Sequence, residues 1–403
     1  MTDALVLDYV RTPRGKGTAK GSLHGHTAVD LVVHLQQALV ERTGLRPDTV
    51  DDITLGCATQ VDEQGADIAR TAALLAGWGD DVPGATINRF CASGVDAVGQ
   101  TAARVRAGDL RLAVAGGVES VSRVPMFADR GPLYCDPPTT RRIGAVLMGI
   151  SADLNATVEG FSREELDAYG LETQLKAAAA WSAGAFERSV VPLPATAERG
   201  GLDHDELVRP STTLESLAAL SPAFAEAGAA GQDEIALGVW KGIDHIDHLH
   251  TIGTSPQVAD AAALLLIGSP EAAEAAGLTP RARIVGAAST AVNPVVMLTA
   301  GQSAVEQVIA RAGLSPDDID VFEFAEAFSA LCLRFRRDLG AGPDRMNPNG
   351  GTMAMGHAFG ATGAILVGSC VEELERRGGR YGVAAVSGAA GLGVAVLVER
   401  VTA

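Results

Sequence analysis

The fold is decided by the stretch Asn88-Arg89-Phe90-Cys91-Ala92-Ser93-Gly94 and by its counterpart, Asn347-Pro348-Asn349-Gly350-Gly351 through Gly356-His357. A segment of helical periodicity follows each of them, and an apolar strand that ends in glycines follows each helix. The first stretch offers a thiol and the second offers an imidazole. This duplication predicts two related half-folds that bring a nucleophile and a base to one cleft.

Strands alternate with helices in the rest of both halves. Beside the two stretches above, the predicted strands are 4–9, 53–57, 84–88, 260–267, 282–285 and 321–324, and the predicted helices are 28–41, 68–76, 302–312 and 326–337. Such alternation is typical of a mostly parallel sheet that helices cover on both faces.

Residues 120–251 interrupt this rhythm with frequent Pro and Gly. Ser162-Arg163-Glu164-Glu165 is a capping box that opens a helix, and a second helix is predicted from Glu172 to about Ala183. The irregular stretches that follow are typical of an inserted lid or loop domain. The predicted domains are an N-terminal half of residues 1–119 plus 252–272, an inserted loop domain of residues 120–251 and a C-terminal half of residues 273–403.

The composition predicts an acidic, globular protein of 403 residues, of which 47% are apolar and 20% charged. Its formal net charge of −17 argues against nucleic-acid binding, because no basic surface is available to neutralise many phosphates. The apolar runs are too short to span a bilayer. The N-terminus lacks the basic and apolar regions of a signal peptide.

One of the five cysteines is predicted to be reactive. Their wide scatter fits neither a disulfide framework nor a zinc pair, so a reducing, cytoplasmic compartment is expected. Cys91 alone lies between a strand and a helix start, where unpaired main-chain N–H groups and the helix dipole lower the pKa of a thiol. The other four, Cys57, Cys135, Cys332 and Cys370, are predicted to be buried structural residues.

His357 is the candidate base, because its glycine-rich turn lets the backbone and the imidazole approach a ligand closely. Three further histidines lie with two aspartates in residues 244–250. Their spacing matches no familiar zinc motif, so they predict a polar loop near the site and no metal. Residues 388–393 fall between two apolar strands, which predicts main-chain N–H groups facing an oxyanion rather than a dinucleotide loop.

The chain resembles the thiolases, the acyl-CoA acyltransferase family, over nearly its whole length. The segments that carry the resemblance are Arg11-Thr12-Pro13, residues 88–94, Ala115-Gly116-Gly117-Val118-Glu119-Ser120, Glu326-Ala327-Phe328 and residues 347–357. The resemblance implies an α/β thiolase fold, in which two duplicated βαβαβαββ halves form a five-layer αβαβα core. It also implies that the inserted domain covers the pantetheine arm of CoA, and that the protein is a homodimer or homotetramer.

The resemblance assigns roles to residues of this chain. Cys91 would carry the acyl group, His357 would take the thiol proton, and the main-chain N–H groups of Cys91 and Ala389 would hold the acyl oxyanion. Four residues would line the path of CoA: Met148, Ser255, Ala327 and Phe328. The implied substrates are acyl-CoA thioesters, in 3-ketoacyl-CoA thiolysis or acyl-CoA condensation, with no permanently bound cofactor.

This chain departs from the family pattern in three ways, and the first two concern the carbon–carbon step. The second catalytic Cys of the family is Ser387 here, and a hydroxyl is a poorer acid or base near neutral pH. The Asn before Glu-Ala-Phe, which holds a water against the enolate, is Ala325. The usual His-Pro-Leu-Gly is His357-Ala358-Phe359-Gly360, and Thr254-Ser255-Pro256 replaces Asn-Ser-Ser.

Three hypotheses follow from these departures. The chain is a working thiolase-type acyltransferase with a substitute acid or base, such as Ser387 acting through a water. Alternatively, it acylates Cys91 and is limited to acyl transfer or hydrolysis. The third hypothesis is a catalytically weak assembly subunit beside an active partner subunit.

Overall fold

The computed structural model describes residues 2–196 and 200–402; positions 1, 197–199 and 403 of the predicted domains lie outside the described residues. Its strands are β1 (Leu5–Arg11), β2 (Gly15–Lys16), β3 (Asp52–Gly56), β4 (Gly84–Ile87), β5 (Leu112–Ser120), β6 (Ala259–Gly268), β7 (Ala282–Ala291), β8 (Val321–Phe324), β9 (Tyr381–Gly388) and β10 (Leu392–Arg400). They form one hydrogen-bonded path in the order β4-β3-β5-β6-β1-β7-β10-β9-β8, and β2 pairs with β6.

Helices cover this path and build the insertion. They are α1 (Ala28–Thr43), α2 (Ile68–Leu75), α3 (Ser93–Ala107), α4 (Pro132–Cys135), α5 (Pro137–Ile143), α6 (Met148–Glu159), α7 (Arg163–Ser182), α8 (Leu214–Ala218), α9 (Ala225–Ala227), α10 (Asp233–Val239), α11 (Pro270–Ala276), α12 (Ala300–Arg311), α13 (Ser329–Leu339), α14 (Thr352–Met355) and α15 (Phe359–Arg377). No described helix is both long and apolar enough to cross a membrane.

The strand order repeats in the two halves. In the first half β1, β6, β5 and β3 are neighbours in that order, and in the second half β7, β10, β9 and β8 are neighbours in the same order and the same relative directions. The halves join where β1 pairs with β7 at Leu5↔Arg283 and Val6↔Ala282. A single bridge, Phe322↔Met346, lies in the second half where β4 lies in the first.

The prediction of a mostly parallel sheet is wrong. Only the pairs β3–β4, β3–β5 and β8–β9 are parallel among the described strands. The last strand of each half, β6 or β10, runs back between two neighbours and is antiparallel to both. In the second half a turn at Ala389–Gly391 makes β9 and β10 a hairpin, which short connections favour.

The helices form three layers in total, one between the two halves and one on the outer face of each half. Helices α3 and α15 pack against each other in the middle, in a core that includes residues of β5 and β6 from one half and β9 and β10 from the other. A Cβ at Gly94 would lie 2.4 Å from the Gly360 carbonyl oxygen, and one at Gly363 would lie 2.2 Å from Val95 N, so glycine permits this close contact. Helices α1 and α2 cover the outer face of the first half, and α12 and α13 cover that of the second.

Two predicted helix boundaries need correction. Two helices were predicted between Ser162 and Ala183, but this segment forms one continuous helix, α7 (Arg163–Ser182). The predicted capping box at Ser162 is present. Helix α13 begins at Ser329 instead of Glu326. The Glu326 carboxylate is buried and accepts hydrogen bonds from Tyr169, Thr173, Asn347 and the Met353 amide, which holds the chain before the helix against the insertion.

Candidate active site

A tight turn after β4 presents Cys91 to a cavity. Phe90 has a left-handed backbone with φ of 49°, and the Asn88 side chain accepts a 2.8 Å hydrogen bond from its amide. Ser93 Oγ accepts from the Arg89 amide at 2.8 Å and donates to the Phe90 carbonyl at 2.6 Å. These bonds satisfy main-chain groups of the turn, and Cys91 is placed two residues before α3.

His357 reaches the same region from the second half. Its amide donates to the Gln257 carbonyl at 2.7 Å, and its carbonyl accepts from the Ala259 amide at 3.1 Å, so it pairs with the chain that enters β6. A Cβ at Gly356, where φ is 103°, would lie 2.7 Å from Ala259 Cβ. Glycine therefore allows the turn before α15 to lie against the first half.

Cys91 and His357 line one cavity of about 240 Å³, called the main cavity below. The four residues that were predicted along the path of CoA line it too: Met148, Ser255, Ala327 and Phe328. A second cavity of about 270 Å³, called the side chamber, also opens at Cys91 and extends past Ala389. The two cavities share Cys91, Met126, Phe127, Met148 and Phe359.

The electrostatics of Cys91 differ from the prediction of a lowered pKa. Burial raises the pKa of its thiol to about 12, and the negative charge of Glu119 adds to this effect. The main-chain amides of Cys91 and Ala389 act in the opposite direction and lower the pKa of the thiol. Desolvation outweighs them because the side chain is enclosed by the cavity walls, so the resting thiol is protonated near neutral pH.

His357 is correspondingly a neutral imidazole. Burial, with a contribution from the Arg14 charge, lowers its pKa to about 3. Its Nδ1 lies 2.8 Å from Thr362 Oγ1, which leaves Nε2 as the nitrogen available to a partner in the cavity. Both groups are therefore neutral at rest, and acylation requires the thiol to lose its proton as the sulfur attacks.

Ser387, the substitute for a second cysteine, lines the main cavity but its hydroxyl is committed to the main chain. Its Oγ donates to the Leu298 carbonyl at 2.7 Å and accepts from the Gly301 amide at 2.9 Å. Proton transfer by Ser387 therefore requires these bonds to open. Ala325 is buried in the same apolar core as Cys91, and its amide donates to the Ala385 carbonyl at 2.9 Å.

Of the three histidines in residues 244–250, His250 supports the cavity wall, whereas His245 is exposed. His250 is fully buried, and its Nδ1 lies 2.7 Å from Asp153 Oδ1. Its ring packs edge-to-face with that of Phe328, with 5.4 Å between the ring centroids. His248 lies between Asp153 and Asp233, and these carboxylates raise its pKa despite desolvation, which is the largest influence and acts in the opposite direction. Among the described residues no group of three or more His, Cys, Asp or Glu is arranged to hold a metal ion.

Glu119 is the main residue at the site to which the sequence assigned no role. Its buried carboxylate accepts from the amides of Ala58, Thr59 and Gly360, and from Gln64 Nε2, at 2.8–3.1 Å. The motif that contains Glu119 was visible in the sequence, but nothing in it shows that the carboxylate faces the turn after His357. The Thr362 contact has no sequence signal beyond a hydroxyl one turn into a helix.

Known protein families, curated relatives and a solved structure match the chain over most of its length. The pattern described as Thiolase, N-terminal domain matches residues 4–232, and Thiolase, C-terminal domain matches residues 278–400. The chain is 37% identical to a beta-ketoadipyl-CoA thiolase of Pseudomonas putida, over 100% of both chains. It is 34% identical to a 3-ketoacyl-CoA thiolase of Aliivibrio fischeri, over 99% of this chain and 100% of the relative.

A solved structure matches as well. The acetyl-CoA acetyltransferase of Bacillus anthracis superposes with a TM-score of 0.86 at 31% identity, covering 100% of this chain and 99% of that one. Together with the two family patterns, this match confirms the predicted α/β thiolase fold. The chain belongs to the thiolase family, whose members transfer acyl groups between CoA thioesters.

Proposed function

We propose that Cys91 is the acyl-carrying nucleophile of a thiolase-type acyl-CoA acyltransferase and that His357 is its base. The observation that carries this proposal is that both side chains, from different halves, line one buried cavity. His357 Nε2 takes the thiol proton while Sγ attacks the thioester carbon. The carbon–sulfur bond to CoA then breaks, and the proton passes to the leaving CoA sulfur.

The oxyanion of this step would lie at the main-chain N–H groups of Cys91 and Ala389. Both amides lower the pKa of the Cys91 thiol, and Ala389 lines the same cavity as Cys91, which supports their placement around an acyl oxygen bonded through that sulfur. The Ala389 amide is held in the turn between β9 and β10, where Ala390 has a left-handed φ of 59°. Acyl-CoA would enter along Met148, Ser255 and Phe328, with no cofactor bound permanently.

The carbon–carbon step would be slower than acylation. When Cys91 attacks the 3-keto carbon of a 3-ketoacyl-CoA, the C2–C3 bond breaks and the departing enolate needs a proton at C2. Ser387 holds its proton on the Leu298 carbonyl, and Ala325 supplies no polar group. This observation favours acyl transfer with limited thiolysis as the second candidate activity.

A mass measurement tests the proposal. The purified protein is incubated with acetyl-CoA, and we expect an acetyl adduct on the peptide that contains Cys91. Cys57, Cys332 and Cys370 are buried as predicted, but the prediction is wrong for Cys135, which is exposed. Cys91→Ala should lose the adduct, whereas Cys135→Ala, which removes this exposed thiol, should keep it. An adduct that persists in Cys91→Ala overturns the assignment of the nucleophile, and CoA-dependent cleavage of acetoacetyl-CoA then measures thiolysis.

We further propose that the chain is divided into domains at the boundaries predicted from the sequence and that the protein is cytoplasmic. We also propose that it assembles into a homodimer or homotetramer. The free thiols of all five cysteines fit a reducing compartment.

Two exposed features support the assembly. Strand β4 is at the end of the sheet path, and Leu74 and Leu75 are 49% and 64% exposed at the end of α2. An edge strand and exposed leucines can form an interface with a second copy of the chain. Light scattering measures the mass of the assembly in solution.

A further inference from the structure

The side chamber gives the acyl group a place separate from CoA. If CoA occupies the main cavity beside Ser255 and Phe328, the group bonded to Cys91 has the second opening at that sulfur available. The chamber continues from Cys91 to Phe90, Leu133 and Tyr134. Its walls therefore act on the part of the substrate that distinguishes one acyl-CoA from another.

The walls of the side chamber disfavour a charged acyl group. They carry no lysine, arginine or histidine among the described residues, and their one ionisable carboxylate is the exposed Asp129. The nearby Arg89 is already paired with Asp96 at 2.8 Å. A carboxylate at the end of an acyl chain would lose water here without meeting a cation, which is costly.

One polar atom in this apolar chamber lacks a partner. The Tyr134 hydroxyl oxygen is buried and makes no hydrogen bond that satisfies both distance and angle among the described residues. The Ala390 main-chain amide lies nearby and favours the ionised phenol, yet burial dominates and raises the pKa of Tyr134 to about 12. The phenol is thus a neutral donor at physiological pH, and its ring is packed against Phe127 at 5.1 Å.

We propose that the side chamber selects uncharged acyl groups that carry an oxygen acceptor for the Tyr134 hydroxyl, and that it rejects acyl groups ending in a carboxylate. This inference rests on the proposed function, because it assumes that the acyl group is attached at Cys91. This selectivity would distinguish the chain from relatives named for beta-ketoadipyl-CoA, whose acyl group ends in a carboxylate. A buried donor discriminates well, since a substrate without the acceptor leaves it unpaired.

The test measures binding without chemistry. Calorimetry on the Cys91→Ala variant compares hexanoyl-CoA, 5-oxohexanoyl-CoA and adipoyl-CoA, which share chain length and differ at the far end. We expect the oxo compound to bind roughly tenfold more tightly than hexanoyl-CoA, and adipoyl-CoA to bind at least about tenfold more weakly. Adding Tyr134→Phe should remove the advantage of the oxo compound, whereas Tyr381→Phe, at the start of β9, should retain it.

Each other outcome overturns the inference. Equal affinities, or tightest binding of adipoyl-CoA, would show that the chamber does not select against charge. A preference for the oxo compound that survives Tyr134→Phe removes the hydroxyl from recognition. Because these affinities need no acyl transfer, they are independent of the Cys91 adduct, whose absence from the wild-type protein would instead overturn the proposed function.

Discussion

The main-chain N–H of Gly360 donates a 2.9 Å hydrogen bond to the buried carboxylate of Glu119. Glu119 is the penultimate residue of β5 in the first half, and Gly360 lies three residues after His357 in the second. The bond therefore fixes the base-bearing turn onto the half that carries the thiol. The same carboxylate raises the pKa of Cys91, so one side chain affects both the geometry and the charge of the site.

Replacing Glu119 with Gln should separate these two effects. Each carboxylate oxygen accepts from two N–H donors, so an amide NH₂ in place of either oxygen would face donors. We expect Glu119→Gln to lower the free energy of unfolding by about 1–3 kcal/mol. Loss of the negative charge should lower the pKa of Cys91 and speed its alkylation at fixed pH. Glu187→Gln is the exposed control, and faster alkylation there as well would refute a local effect.

The raised pKa of Cys91 predicts a steep pH dependence of its modification. Only the thiolate reacts with iodoacetamide, and below the pKa its fraction grows about tenfold per pH unit. In a Cys135→Ala background, the rate at Cys91 should therefore keep rising from about pH 7 to about pH 10. No inflection is expected near pH 6.5, because the pKa of His357 is lowered to about 3. A plateau below about pH 9 would mean that the thiol ionises readily.

Thr362 positions His357 through the Nδ1 contact at 2.8 Å. Thr362→Val removes the hydroxyl at nearly constant volume and leaves the buried imidazole without this partner. We expect acylation of Cys91 by acetyl-CoA to slow by about tenfold, as one hydrogen bond of about 1.4 kcal/mol would give. Thr101→Val is a matched control, since Thr101 is buried in α3 and its hydroxyl has no partner among the described residues. Equal slowing in both variants would contradict the positioning role.

Asp260 makes stability depend on pH. Burial raises its pKa to about 6 although the Ser122 amide donates to it at 2.8 Å. Because the pKa is above its unfolded value, the folded state is favoured below about pH 4 and this contribution is lost as the pH rises through 6. Asp260→Asn should stabilise the protein at pH 8 by about 1–3 kcal/mol, and the gain should disappear near pH 4. Denaturant melts at both pH values measure this, with the exposed Asp317→Asn as control.

Local pattern predicted the elements of the fold well, and long-range contacts explain what it missed. The strand 321–324 and the capping box at Ser162 are confirmed, because period and capping are properties of neighbouring residues. Strand direction was mispredicted since β6 returns to the sheet only after the long insertion. The low pKa expected for Cys91 followed from its place before a helix, whereas burial of the side chain, which depends on the tertiary fold, raises the pKa.

The departures at Ser387 and Ala325 can be tested by restoring the family residues. Ser387→Cys with Ala325→Asn should raise thiolysis of acetoacetyl-CoA by about tenfold or more relative to Cys91 acylation, because a proton donor and an enolate ligand are added. The double variant should also melt at a lower temperature, since Ala325 is 2% exposed and Ser387 bridges Leu298 and Gly301. Ser387→Ala is the control. If the hydroxyl is purely structural, this variant loses stability and keeps its ratio of thiolysis to acylation. A tenfold fall in that ratio would instead show that Ser387 takes part in the proton transfer, as in the first of the three hypotheses from the sequence.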